Sequence, residues 1–230
     1  MTLYIHRGPG REEGGGPRLL VLHDLNAAGS AWQDLLDAWP GPSAAPDFPG
    51  HGQSPPAEGG KYVPTDLTLY AVRALQQLGW EHDGDGDAPA VLGHGWGAFA
   101  AEPLAAAGRV SRLILVDGLG GPWHSASELA VAQTAWLRAA LRVHTQPVAT
   151  PDPILALGFP DVWHEEITRG RRAAITVPVL AIETRSSSTP PGERDARVAM
   201  FGGPAQLVDA TAATDASRDR LAAIVCGAAG

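Results

Sequence analysis

The sequence is poor in the residues on which several kinds of site depend. It has one cysteine, Cys226, among 230 residues, which excludes an internal disulfide and a thiolate-rich metal site. The formal net charge is −8, and an acidic chain lacks the basic surface that nucleic-acid phosphates require. We therefore predict no metal, no cofactor and no nucleic-acid partner.

Long apolar segments are also missing. No stretch approaches the roughly 20 apolar residues that a membrane-spanning helix needs, and residues 1–10 lack the continuous apolar run of a signal peptide. The content of apolar residues, 44%, is nevertheless that of a globular domain with a sizeable core. These features predict a cytoplasmic protein without a membrane partner, and they leave its oligomeric state open.

Short apolar runs alternate with helical patterns along the chain. The runs predict an antiparallel edge strand at 3–7 and further strands at 18–23, 90–93, 112–117, 177–183 and 205–210. Helical spacing occurs at 30–38, 65–78, 96–107, 127–142 and 216–226. The alternation predicts an α/β fold, with a mostly parallel sheet and helices on both faces. Residues 118–176 interrupt it, and they predict either a small cap over the strand ends or a crossover helix packed on the sheet.

Four local patterns follow one another in a distinctive order. VLHDLNAAGSAW (21–32) begins at the end of a predicted strand, and APDFPGHGQSP (45–55) is a turn-rich segment that follows it in the chain. VLGHGWGAFAAEPLA (91–105) is a glycine-rich turn from strand to helix, and VPVLAIETRSSSTPP (177–191) is a strand that ends in a carboxylate and is followed by a Thr-Pro. Together they resemble the α/β-hydrolase family. The resemblance implies that fold for a single domain, with 118–176 as a short cap.

The resemblance also implies roles for individual residues. Gly95 stands at the nucleophile position of the elbow motif G-x-S-x-G. A glycine tolerates the strained backbone of that turn but has no side chain with which to attack a substrate. The backbone N–H groups of Leu25 and Trp96 take the positions of the oxyanion hole. Glu183 or a nearby loop residue, or alternatively Asp117, takes the position of the triad acid.

The histidine of such a triad is missing. In the family it follows the last strand, but no histidine occurs after His164 in this chain. The corresponding turn, at 210–220, offers Thr211, Thr214 and Asp215, and none of these is a base poised near neutral pH. We therefore predict that the chain is not an ordinary Ser-His-Asp hydrolase but a non-hydrolytic small-molecule enzyme of the lyase, isomerase or cyclase type.

Such an enzyme needs a group that moves a proton and a site that holds an apolar substrate. Asp24 and His124 are the candidates for proton transfer. Trp123 and Trp136 are candidate walls of the substrate site. His94 is a further binding candidate, although the residue before a nucleophile normally points into the core. The predicted ligand is a small apolar molecule with a carbonyl or carboxylate group, whose oxygen the two amides would bind.

The sequence leaves three other functions open. The chain is alternatively a non-catalytic binding or partner protein on the same fold, or a hydrolase with an unrecognised catalytic constellation. The third alternative is a dinucleotide-binding protein. Gly93-x-Gly95-x-x-Ala98 follows a strand and opens a helix, and Asp117 ends the next strand, as in the dinucleotide fingerprint.

Overall fold

The sheet of this protein has seven strands in the part of the chain that the structure covers. A computed structural model describes residues 1–10, 16–25, 27–57, 64–81, 88–121, 123–143, 164–210 and 218–227. Its strands are β1 (Ile5–Arg7), β2 (Leu19–Leu22), β3 (Ser43–Pro46), β4 (Ala90–His94), β5 (Arg112–Val116), β6 (Val179–Glu183) and β7 (Ala205–Asp209). The order is β1-β3-β2-β4-β5-β6-β7, and only β1 is antiparallel to its neighbour.

Helices cover both faces of the sheet, as the alternating pattern predicts. They are α1 (Gln33–Ala38), α2 (Pro64–Leu78), α3 (Ala98–Ala106), α4 (Ala126–Val143), α5 (Glu165–Ala173), α6 (Arg194–Val198) and α7 (Arg218–Gly227). Buried residues of α2 and α3 share one apolar cluster with the sheet, and those of α1 and α7 share another on the opposite face. The parallel strands are apolar on both faces for this reason, and the α/β-hydrolase fold is confirmed.

The pattern of apolar runs in the sequence does not predict one of the strands. Strand β3 has the sequence SAAP and is buried at every position. It has no β-branched or aromatic residue, which are the types enriched in strands. Its pairing with β2 on one side and β1 on the other fixes its conformation instead. The sequence indicates this strand only through the loop at 45–55 that follows it.

The predicted cap at 118–176 contains α4 and α5, whereas residue 122 and residues 144–163 lie outside the described part of the chain. Helix α5 packs against α3, because its buried Arg172 pairs with the buried Glu102. The C-terminal end of the segment 118–176 is thus attached to the body of the fold. The role of this segment as a cap stays a prediction. Among the described residues, no helix combines the length and the apolar character that crossing a bilayer requires.

Candidate active site at the glycine elbow

The turn from β4 into α3 has the geometry of a nucleophile elbow. After His94 the backbone turns at Gly95, whose φ of +49° lies in the left-handed region, and a short 3₁₀ turn over Gly95–Gly97 leads into α3. Gly97 permits a close approach, because a Cβ atom there would overlap the carbonyl oxygen of Leu22 on the neighbouring strand. The elbow backbone is therefore intact, as predicted, without a reactive side chain at its tip.

A carboxylate occupies the space above this turn. A Cβ atom built on Gly95 would collide with the side-chain carboxylate of Asp24. The same carboxylate accepts a hydrogen bond of 2.7 Å from the backbone N–H of Trp96 to Oδ1. Asp24 thus lies where the side chain of a residue at position 95 would begin, and it binds one of the two predicted oxyanion-hole donors.

This contact corrects one expectation from the sequence. We expected the amides of Leu25 and Trp96 to be available to a ligand oxygen, but the Trp96 N–H donates to Asp24 in the free protein. An oxygen of a ligand must replace that carboxylate before it reaches this donor. The side chain of Leu25 is partly buried and packs against the apolar cluster on the α3 face.

His23 fixes the loop that carries Asp24. The His23 ring is buried, its Nδ1 atom lies 2.8 Å from the carbonyl oxygen of Asp24, and its Nε2 atom accepts the N–H of Phe48 at 3.0 Å. Since Nε2 accepts, Nδ1 carries the proton and donates. Burial lowers the pKa of His23 from 6.5 to about 3, and the neighbouring His51 adds to the effect. His23 is therefore neutral and holds Asp24 through its backbone.

The turn predicted around residues 45–55 supports the same loop from the other side. Asp47 is buried and accepts backbone N–H groups from Gly29 at 2.7 Å and from Gln53 at 2.8 Å. His51 is also buried, and its ring packs against those of His23 and Trp96. His51 is thus a residue of this turn. The contacts of its ring join the elbow and the Asp24 loop through buried aromatic side chains.

The two residues at acid positions have other partners. Asp117 has φ of +50° and accepts both the backbone N–H and the hydroxyl of Thr184, each at 2.6 Å. Glu183 is buried and accepts a hydrogen bond from the hydroxyl of Ser187. Burial raises the pKa of Glu183. Both carboxylates therefore order the loop after β6, and the sequence did not reveal Ser187 as the partner.

Trp123 and His124 have contacts of their own. The guanidinium of Arg197 stacks over the ring of Trp123 at 3.9 Å, and His124 lines a surface depression with Trp123 and His164. The structure does not bring His124 to Asp24 among the contacts it describes. Helix α4 carries Trp136, but the side chain of Trp136 lies outside the described part, as do Thr211, Thr214 and Asp215.

His94 points away from Asp24, to the opposite face of the sheet. Its ring packs edge-on against Trp32 at 5.4 Å, and Trp32 belongs to the apolar cluster of α1 and α7. Trp96, which holds Asp24, belongs to the cluster on the α3 face. His94 is therefore not a binding residue for a ligand at the elbow, which corrects its assignment from the sequence.

The burial of neutral His23 predicts how stability depends on pH. Its pKa is lower in the folded protein than the ordinary value of 6.5, so the unfolded chain takes up a proton first as the pH falls. The contribution of neutral His23 to the free energy of unfolding is therefore fully present above about pH 6.5. Below that pH it declines by about 1.4 kcal/mol per pH unit. Urea denaturation at several pH values should show this slope in the wild type, a smaller slope in His23→Asn, and the wild-type slope in the control His124→Asn. Equal slopes in all three proteins would contradict this role of His23.

Comparison with known proteins agrees with the fold. Residues 19–228 match the model of the alpha/beta hydrolase family. The chain is 37% identical over 122 residues to lipase LipV of Mycobacterium tuberculosis, and this match spans 51% of the chain and 42% of LipV. A hypothetical protein of Pseudomonas aeruginosa has a similar fold, with a TM-score of 0.75, 21% identity and coverage of 98% of this chain and 94% of that one. The enol-lactonase of Burkholderia xenovorans is similar as well, with a TM-score of 0.69, 17% identity and coverage of 98% and 95%. By its family match, its sheet order and its glycine elbow, the chain belongs to the α/β-hydrolase family.

Proposed function

We propose that this protein is a non-hydrolytic enzyme in which Asp24 moves a proton on a small apolar substrate that carries a carbonyl group. One observation supports the proposal: the Asp24 carboxylate lies over Gly95 and accepts a hydrogen bond from the Trp96 N–H. A carboxylate positioned in this way is suited to general acid–base catalysis. The glycine leaves no side chain at position 95 to form a covalent intermediate.

The Trp96 N–H couples the proton transfer to Asp24 with the negative charge that develops on the substrate oxygen. When Asp24 takes a proton from the carbon next to the carbonyl group, the C–H bonding pair becomes the enolate π bond and negative charge appears on the substrate oxygen. The protonated Asp24 then holds the Trp96 N–H less strongly, because hydrogen bonds to a charged acceptor are stronger than those to a neutral one. The donor is released to the new oxyanion as the charge moves there, with the Leu25 N–H as the predicted second donor.

The same contact narrows the ligand class predicted from the sequence. A substrate carboxylate at the Trp96 N–H would have to displace the carboxylate of Asp24, and the two negative charges would repel each other at close range. A neutral carbonyl oxygen avoids this repulsion. We therefore favour a ketone, lactone or similar carbonyl compound over a carboxylic acid.

Proton exchange with solvent tests the proposal without knowledge of the natural product. Apolar ketones and lactones are incubated with the protein in D₂O, and the signals of the protons next to the carbonyl group are followed by NMR. We expect faster loss of these signals for at least one compound than with no protein. If calorimetry shows that compounds of this class bind but none exchanges with the protein present, the protein is a binding protein.

The alternative function, that of a non-catalytic binding or partner protein, is supported by the same contact. The Trp96 N–H is already satisfied by Asp24, so the elbow is stable without a ligand or a reaction. A non-catalytic binding or partner protein would require nothing more from this site. The dinucleotide alternative is disfavoured, because a pyrophosphate at the same glycine turn would meet the negatively charged Asp24 carboxylate.

Ester hydrolysis is the function that the likeness to lipase LipV would suggest, and a direct assay separates it from the proposal. We expect no activity on short p-nitrophenyl esters and no covalent adduct with a fluorophosphonate probe, since glycine stands at position 95. Gly95→Ser alone should remain inactive, because no histidine follows His164 to activate the new hydroxyl and because its Cβ atom would collide with Asp24. A stoichiometric adduct in the intact mass of the wild type would show that a nucleophile lies elsewhere.

A further inference from the structure

A cavity lies on the face of the sheet to which His94 points. It measures about 360 Å³ and opens at the carboxyl ends of β4 and β5, between α1 and α7. This volume falls within the roughly 300–1,000 Å³ of small-molecule sites. Its apolar wall includes Trp32, Leu35, Val116 and Leu221. The cavity lies on the α1 and α7 side of the sheet, whereas Trp96 of the elbow packs in the apolar cluster on the α3 side.

An unsatisfied nitrogen lies in the wall of this cavity. His94 lines it, and the Nδ1 atom of His94 is buried without a hydrogen-bond partner among the described residues. Leaving a buried polar atom unpaired is unfavourable. A hydrogen-bonding group of a ligand at this point would remove that cost.

The charges around the cavity indicate what kind of donor fits. Asp117 and Asp34 line it, and no lysine or arginine is found in the described lining. Each Asp117 oxygen accepts one hydrogen bond from Thr184, and a carboxylate oxygen can accept about two. Asp34 lies at the exposed mouth, in the first turn of α1. Two carboxylates in the lining favour a cation with several N–H groups.

We propose that this cavity binds an apolar primary amine, with its ammonium group at His94 and Asp117 and its apolar body against Trp32. An ammonium group has three donors and no acceptor, which matches the acceptors that the cavity presents. This site does not depend on the function proposed for Asp24.

Calorimetry with 2-phenylethylamine, 2-phenylethanol and phenylacetate tests the proposal. All three probes carry the same apolar body, so the comparison isolates the head group. We expect saturable binding of the amine at roughly millimolar concentration or below, and binding of phenylacetate at least about tenfold weaker. Absence of saturable amine binding, or equal affinity for phenylacetate, would overturn the proposal.

Variants locate the bound amine. Ala31→Leu should lower the affinity at least about tenfold by filling the cavity that Ala31 lines. Asp34→Asn should weaken binding, whereas Asp37→Asn on the same helix, outside the lining, should not. Asp24→Asn should bind the amine as the wild type does, which separates this site from the elbow. Circular dichroism checks that each variant is folded, and unchanged affinity in a folded Ala31→Leu protein would place the amine elsewhere.

Discussion

Replacing Asp24 by asparagine is expected to slow the proposed proton exchange by about 10²–10⁴-fold, the usual contribution of a general acid or base. Asparagine keeps the shape of the side chain, and its amide oxygen can still accept the hydrogen bond from Trp96. It cannot take up a proton near neutral pH. The loss of rate would therefore report the chemistry of the carboxylate rather than damage to the elbow.

The measurement is the NMR exchange rate for the best carbonyl compound. The matched control is Asp37→Asn, which removes an exposed carboxylate whose described partner is Gln33. Thermal unfolding of each variant verifies the fold. An exchange rate in Asp24→Asn equal to that of the wild type would assign proton transfer to another residue and would remove the basis of the proposed enzyme.

Replacing Arg172 by methionine is expected to lower the free energy of unfolding by about 3–5 kcal/mol, because it leaves a buried carboxylate without its main partner. Glu102 and Arg172 are both fully buried, and two guanidinium nitrogens of Arg172 contact Glu102 Oε1 at 2.7 and 2.9 Å. Burial tends to raise the pKa of Glu102, but Arg172 and Arg171 outweigh it and lower the pKa. Arg172 also donates to the carbonyl oxygen of Leu119 after β5.

Helix α5 offers a matched control for this prediction. Arg169 pairs with Glu165 at 2.7 Å, but both side chains are more than half exposed, at 59% and 52%. Arg169→Met should change stability by no more than about 1 kcal/mol, as exposed pairs usually do. Urea denaturation measures both variants. Equal effects of the two substitutions would show that the burial of the Glu102–Arg172 pair does not determine its contribution.

The sequence predicts most of the fold because its signals are local. Strands β2, β4, β5 and β6 are apolar runs of residues that must be buried on both faces. Gly95 has a similarly local reason, since the turn itself needs its positive φ. Strand β3 has no such signal, because its four small residues acquire their conformation from neighbouring strands.

The sequence identifies the residues of the site better than it predicts their contacts. Asp24 stands out as a carboxylate on the oxyanion loop, but the loop and the elbow are 72 positions apart in the chain. Nothing local predicts that its carboxylate covers Gly95 and binds Trp96. The same applies to Asp117 and Glu183, whose partners Thr184 and Ser187 depend on how the loop after β6 folds back.

A double-mutant cycle on Gly95 and Asp24 tests most directly whether the aspartate occupies the place of the missing nucleophile. Gly95→Ala, Asp24→Ala and the double variant are compared by urea denaturation. In the wild-type background, Gly95→Ala introduces the strain of a positive φ and a collision with the Asp24 carboxylate. In the Asp24→Ala background only the backbone strain, about 1–2 kcal/mol, remains. We predict that the two substitutions are coupled by about 1–3 kcal/mol, as for residues in direct contact. Effects that add to within about 0.3–0.5 kcal/mol would mean that Asp24 does not lie over Gly95, and would contradict the account.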